Sequence, residues 1–357
     1  MKSHLKMNLD AKKITILVFV INVMYFYTFM PTADALFISD DKVNITMDLN
    51  EGTTIHKSLK QYLTETQVSI NKIEVAPNEK APHIIDYLAS QVKKGQNIGL
   101  IITKMDYTQE LIDKNLIRPI PSAYANSVLQ NINPTFNDAS LSYKGEVFTL
   151  PVSRTTPLMF YNINAIRKSS CELENFTEAD IPKTWMEFVK LLERCQDNSN
   201  LKSPLLLGGQ SFDWIFQSMV AQQGGSLIDA NHKPDLTNPK VVKTLEMWQN
   251  LQAKNLIKIE KYWEKAINIF SRGDSPIVCF STDGITEVLK NKTTEFTWGV
   301  GHLPTQANAK VALGGFNIYF GINMTTAEIE SSKEIIKLLY DNGVQKKIFE
   351  TGCWPVI

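Results

Sequence analysis

The chain runs to 357 residues, too many for one small core, and sets 37 Lys+Arg against 37 Asp+Glu for a formal net charge of zero. That length asks for two lobes of ordinary domain size. The balanced charge excludes the basic surplus that a nucleic-acid binder gathers on one face.

The first residues read as an export signal. Lys2, Lys6, Lys12 and Lys13 precede an almost unbroken apolar run from Ile14 to Met30, and Ala33-Asp34-Ala35 fits a small-x-small cleavage site. The run falls short of a comfortable bilayer span. Cleavage after residue 35 and release of a periplasmic protein is therefore the expectation, with an uncleaved membrane tether as the alternative. No cysteine precedes Cys171, so the acylated cysteine of a bacterial lipoprotein is not expected.

Beyond the signal, short apolar runs alternate with helical patterns. Val43–Met47, Val68–Val75 and Ile98–Ile102 read as strands, with helices at Ile55–Leu63 and Ile84–Val92 between them. A β-α-β-α-β order predicts a parallel sheet covered by helices, with ligands beyond the carboxyl ends of its strands. Two extended segments, Val147–Pro151 and Leu158–Tyr161, flank the polar patch Ser153–Thr156. Thr184 and Glu187 have capping-box spacing, ahead of a helix carrying Trp185, Phe188, Val189 and Leu192. Asn238-Pro239 starts another helix, with Val241, Val242, Leu245 and Trp248 expected on its buried face. Strands at Ile277–Phe280, Thr297–Val300 and Phe316–Phe320 and helices at Ile285–Leu289, Ala327–Leu339 and Val344–Phe349 complete the pattern.

The chemistry inventory points away from catalysis. None of His4, His56, His83, His232 and His302 belongs to a metal-binding motif. Gly209-Gln210-Ser211-Phe212-Asp213 begins like a nucleophile elbow but lacks the final glycine. No catalytic residue, metal or cofactor is expected. Of the cysteines, Cys171 and Cys195 form the one pair within a local segment, and an oxidising compartment permits their disulfide. What remains is polar residues at strand ends and turns: Thr155, Ser281, Thr282 and Gly315. Ser281-Thr282 marks a helix N-terminus that either caps itself or meets an anion.

Six segments in order resemble the extracellular solute-binding proteins of the maltose and glycerol-3-phosphate type. They are FTLPVSRTTPLMFYN from Phe148, IPKTWMEF from Ile181, FSRGDSPIVCFST from Phe270, FTWGVGHLP from Phe296, GGFNIYF from Gly314 and TGCWPV from Thr351. The resemblance implies the two-lobed α/β periplasmic binding protein fold (type II), with a small polar solute held between lobes joined by chain crossings. It implies a signal over 1–35, one lobe from 36–152 plus 315–357, and a second lobe from 153–314. It further implies a monomer that serves an ABC permease in the inner membrane, without catalysis. Thr155, Ser281 and the Gly315 backbone then face the ligand, and Trp185 supplies either an apolar wall or packing for its own helix. Glycerol 3-phosphate, a glycerophosphodiester or a sugar are the expected ligands.

The sequence departs from the family at two points. Cys353 stands where the family places a ligand-reaching tyrosine, and the expected phosphate-pairing arginine would lie past Ile357. A degenerate relative without binding, a membrane-tethered sensor and an exported enzyme are the alternatives these departures leave. In the first lobe the family's contacting tyrosine aligns with Ala81 and its acid near Asp106. Arg154, beside Thr155, is expected to replace the missing charge, because guanidinium matches phosphate oxygens with a rigid fork. Strand alternation gives the opposite expectation, Arg154 turned away from Thr155 into solvent.

Overall fold

The computed structural model describes residues 43–47, 61, 64, 70–75 and 84–357, with breaks at 137–140, 197–202, 209–210, 230–232, 292–294 and 306–312. The expected signal, nearly all of the helix expected at Ile55–Leu63, and Ala81 lie outside the described residues. Among the described residues no helix is long and apolar enough to cross a membrane.

Strands β1 (Val43–Met47) and β2 (Ile70–Val75) precede α1 (Ile84–Lys93), β3 (Leu100–Lys104), α2 (Thr108–Asp113), β4 (Ile117–Arg118) and α3 (Ser122–Leu129). The hairpin β5 (Ser142–Tyr143) and β6 (Glu146–Val147) leads to β7 (Thr149–Thr155). Next come β8 (Pro157–Asn162), α4 (Ile163–Ser169), α5 (Trp185–Gln196), β9 (Leu205–Gly208) and α6 (Ser211–Gln222). They are followed by α7 (Pro239–Ala253), β10 (Ile257–Glu260), α8 (Trp263–Ser271), β11 (Ile277–Ser281), α9 (Gly284–Asn291) and β12 (Trp298–His302). The last elements are β13 (Gly314–Gly321), α10 (Thr326–Leu339) and α11 (Asn342–Glu350).

Apart from the β5–β6 hairpin, these strands form two mixed sheets. The first runs β2-β1-β3-β13-β4, with β7 also paired to β13. β1, β2 and β3 are parallel, and β13 is antiparallel to its three partners. The second runs β10-β9-β11-β8-β12, its first three strands parallel and the others antiparallel. The runs Leu205-Leu206-Leu207 and Ile277–Phe280 are buried on both faces, as helix-covered parallel strands must be. Met159, Leu205, Leu207 and Ile277 meet Phe188 and Leu192 of α5 on one side. Phe160, Leu206 and Val278 meet Ile267 and Phe270 of α8 on the other. In the first sheet Ile45, Ile102, Ile318 and Phe320 pack on Ile335 and Ile336 of α10. Each large aliphatic side chain buried in this way contributes roughly 1.5–3 kcal/mol.

The chain passes from one sheet to the other between β7 and β8, with only Thr156 intervening, and again between β12 and β13. Of the patch Ser153–Thr156, expected to separate two strands, Ser153–Thr155 instead finishes β7, whose seven residues are all buried. Pairing to Gly314–Phe316 of β13 satisfies its backbone, which lets these polar residues stay inside.

Two helix starts follow local chemistry. Thr184 and Glu187 form the expected box: the Glu187 carboxylate accepts from Thr184 N at 3.0 Å, and Glu187 N donates to Thr184 Oγ1 at 3.3 Å. Asn238 caps α7 by accepting from Lys240 N at 3.0 Å. The buried face of α7 differs from the expected one, however. Val241, Thr244, Trp248 and Leu251 point inward, whereas Val242 and Leu245 are exposed. The inward set spaces at 3, 4 and 3 residues, which tracks the helical period better than a choice by apolar type.

Candidate functional site

The carboxyl ends of the parallel strands bring their following turns together. In the first sheet β3 ends at Lys104, and the turn Met105–Tyr107 carries Asp106. Tyr319 of β13 secures this turn: its hydroxyl lies 2.9 Å from Thr108 Oγ1, which donates to Met105 O at 2.6 Å. Burial pushes the Tyr319 phenol up to about 12. In the second sheet β9 leads into α6, whose first turn holds Asp213 and Trp214, and β11 ends at Ser281.

Asp106 keeps surface open to water, yet protein surrounds its carboxyl closely enough to raise its pKa. Loss of hydration is the main cause, the negative charge of Asp213 adds to it, and Lys104 works against both. Asp106 follows β3 of the first sheet and Asp213 follows β9 of the second, so these two carboxylates influence each other across the junction of the sheets.

Trp214 stands at the crossing. A Cβ added at Gly314 would fall 2.0 Å from Trp214 Cζ2 and 2.9 Å from Thr155 Oγ1. Only a glycine lets the indole and the threonine hydroxyl approach that backbone together. Gly315 next to it has φ +127°, and a Cβ there would fall 2.2 Å from Ser153 O, so the hinge itself requires glycine. Ser281 Oγ donates to Asp283 Oδ1. Thr282 N donates to Thr156 O at 3.0 Å, tying the end of β11 to the crossing. The buried Thr282 Oγ1 has no hydrogen-bond partner among the described residues.

Of the residues singled out from sequence, Thr155, Ser281 and Gly315 come together around this crossing. Trp185 does not. It is buried in the core of its own lobe, donating from Nε1 to Gln222 Oε1 at 2.9 Å and meeting Phe188 edge-on at 5.8 Å. Arg154 follows neither expectation, because its side chain is 0 % exposed. Its Nη1 donates to Asn317 Oδ1 at 2.7 Å and to Ser153 O at 3.0 Å, so this one nitrogen ties β7 to β13. Cys353 is also buried, packed in the first lobe's core near Ser153 and Asp283. The expected Cys171–Cys195 disulfide involves a Cys171 side chain outside the described residues; Cys195 is buried, and burial pushes its thiol up to about 11.

Asp213 and Trp214 were missed by sequence reasoning. The signal was present: the segment that fails as a nucleophile elbow runs into α6 just after the carboxyl end of the parallel strand β9, where ligands sit.

Two mixed sheets joined by two chain crossings, with Thr155, Trp214 and Gly314 close together at the junction, make this region the candidate solute site. The comparisons agree. Residues 57–357 match the bacterial extracellular solute-binding protein family, and the chain belongs to that family, whose members bind rather than transform their ligands. The sn-glycerol-3-phosphate-binding periplasmic protein UgpB of Escherichia coli K12 is 22% identical over 230 residues, 59% of this chain and 50% of that protein. The UgpB of Pectobacterium atrosepticum is 20% identical over 250 residues, 65% of this chain and 54% of the relative. The matched stretch thus spans about half the length of these relatives. Among solved structures, maltose-bound T. maritima MalE3 superposes with a TM-score of 0.70 at 18% identity, over 88% of this chain and 81% of MalE3. UgpB from Mycobacterium tuberculosis in complex with glycerophosphocholine gives 0.70 at 15% identity, over 88% and 79%. These likenesses establish the α/β periplasmic binding protein fold.

Proposed function

We propose that this chain is the extracytoplasmic solute-binding component of an ABC importer, and that its solute is a sugar or a glycerophosphodiester. The observation that supports this reading is that Asp106, Asp213 and Trp214 come from the two halves of the fold to the junction between the sheets. Carboxylates accept hydrogen bonds from hydroxyl groups, and an indole face packs against the apolar C–H surface of a ring or glycerol chain. Thr155, Ser281 and the Gly315 backbone add hydrogen-bonding groups from the crossing. A lobe of 36–152 with 315–357 and a second of 153–314 would close on the solute as a monomer. The closed form would then engage a permease in the inner membrane. A cleavable signal over 1–35 would deliver the protein to the periplasm.

Thermal denaturation with maltose, glycerol 3-phosphate and glycerophosphocholine tests the assignment. A ligand at a hundredfold excess over its Kd, bound by the native state alone, adds about 2.7 kcal/mol of stability. At least one of the three is expected to raise the Tm. A Tm unmoved by maltose, glycerol 3-phosphate and glycerophosphocholine would overturn the reading.

A further inference from the structure

The two crossings join the lobes covalently, and the segment Thr351–Trp354 joins them without covalent passage. On the side of the first sheet, where β7 pairs with β13, Arg154 N donates to Trp354 O at 3.0 Å and Trp354 N donates to Arg154 O at 2.6 Å. Arg154 is the residue already fastened to Asn317 of β13, so three backbone segments meet at one point. On the side of the second sheet, Thr286 of α9 directs its hydroxyl at Thr351 O, 3.2 Å away, and at Asp283 O, 2.8 Å away. Gly352, between these contacts, has φ +88°; a Cβ there would fall 2.5 Å from Thr282 O and 2.8 Å from Asp283 Cα. Its backbone therefore rests directly on the turn that follows Ser281.

We propose that Thr351–Trp354 is a positioning clasp that sets the separation of the two lobes. The clasp holds the Ser281–Asp283 turn against the hinge by one shared hydrogen bond and one glycine-sized gap, while its other end is pinned to Arg154. The open–closed equilibrium of a two-lobed clamp shifts with any contact that favours one state over the other. A contact that sits on the hinge and touches both lobes alters that equilibrium without touching the solute. A side chain at Gly352 has two penalties, the left-handed φ and the collision with Thr282 O, and both push the turn away. The clasp concerns lobe separation and is read in the ligand-free chain, so it stands apart from the ligand assignment above.

Small-angle scattering from the full-length, ligand-free protein tests the proposal, together with affinity for whichever of maltose, glycerol 3-phosphate or glycerophosphocholine binds. Gly352→Ala is expected to increase the radius of gyration and to weaken binding about tenfold, within the usual range of coupling between sites. Thr286→Val should move both quantities in the same direction by less, and Thr286→Ser should restore them, because serine keeps the hydroxyl. A Gly352→Ala protein with the parent's scattering curve overturns the clasp, as does a Thr286→Val protein that differs from parent and Thr286→Ser only in Tm. Should Gly352→Ala fail to fold, the Thr286 pair decides. Should none of the three solutes bind the parent, the ligand assignment falls, while the scattering comparison still judges the clasp.

Discussion

At the scale of single residues, Asp106 shows most plainly what a carboxylate with restricted hydration costs the protein that carries it. Its folded-state pKa is raised above the ordinary 3.8, so the native state holds a proton more tightly than the unfolded chain does. The native state then binds more protons, and the stability this group contributes is present below the ordinary carboxylate range and lost as pH rises through the raised pKa. Asp106→Asn removes the penalty. The variant is expected to melt above the parent at pH 7, with the gap closing as the pH falls below about 4, and to bind its solute more weakly. Melting curves at several pH values check the first part and titration calorimetry the second. A variant less stable than the parent at pH 7 would mean that Asp106 is held by favourable contacts. Arg154 shows the opposite solution to burying a charge. A guanidinium stays ionised even inside a protein, and here one nitrogen serves Asn317 and the backbone of Ser153. Neighbour alternation could say only that Arg154 faces away from Thr155. It could not say that this second face is also covered.

At the scale of elements, the sequence was informative wherever the physics is local. The capping box at Thr184 and Glu187, the Asn238-Pro239 start and the strand β1 all stand where short-range patterns put them. Patterns that depend on a distant partner were less legible. Ser153–Thr155 read as a break between strands because its side chains are polar, and only the pairing with β13 explains why they continue one. Trp185 read as either wall or core, and the choice was made by Gln222, 37 residues further on. Helix α7 gives a sharp test of the revised buried face. Trp248→Ala should cost about 3–5 kcal/mol, the usual range for truncating a buried aromatic. Leu245→Lys, at an exposed position, should stay within about 0.5 kcal/mol of the parent. Denaturant unfolding of the two variants separates them, and a Leu245→Lys variant as damaged as Trp248→Ala would restore the original assignment of the face.

At the scale of the whole molecule, the two-sheet plan was legible because six short segments occur in a fixed order along the chain. The site was less so, since a crevice is assembled from turns far apart in sequence: Asp106, Asp213 and Ser281 come from three of them. The same plan settles the fate of two sulfur atoms. Cys279 is wholly enclosed in β11 of the second sheet, and Cys353 in the core packed on the first. Burial raises both thiol pKa values far enough to keep the protons on. In the native protein both should resist a thiol-reactive dye until denaturant is added, and rapid labelling of either one without denaturant would contradict the packing described. In an oxidising compartment, this would make folding a race. The thiolate is the reactive species, so these sulfurs are open to oxidants only before the sheets close over them. Whatever slows the assembly of β11 or the seating of residues 351–354 lengthens the interval in which a wrong disulfide can form. The two cysteines are therefore clocks on the folding of their own lobes.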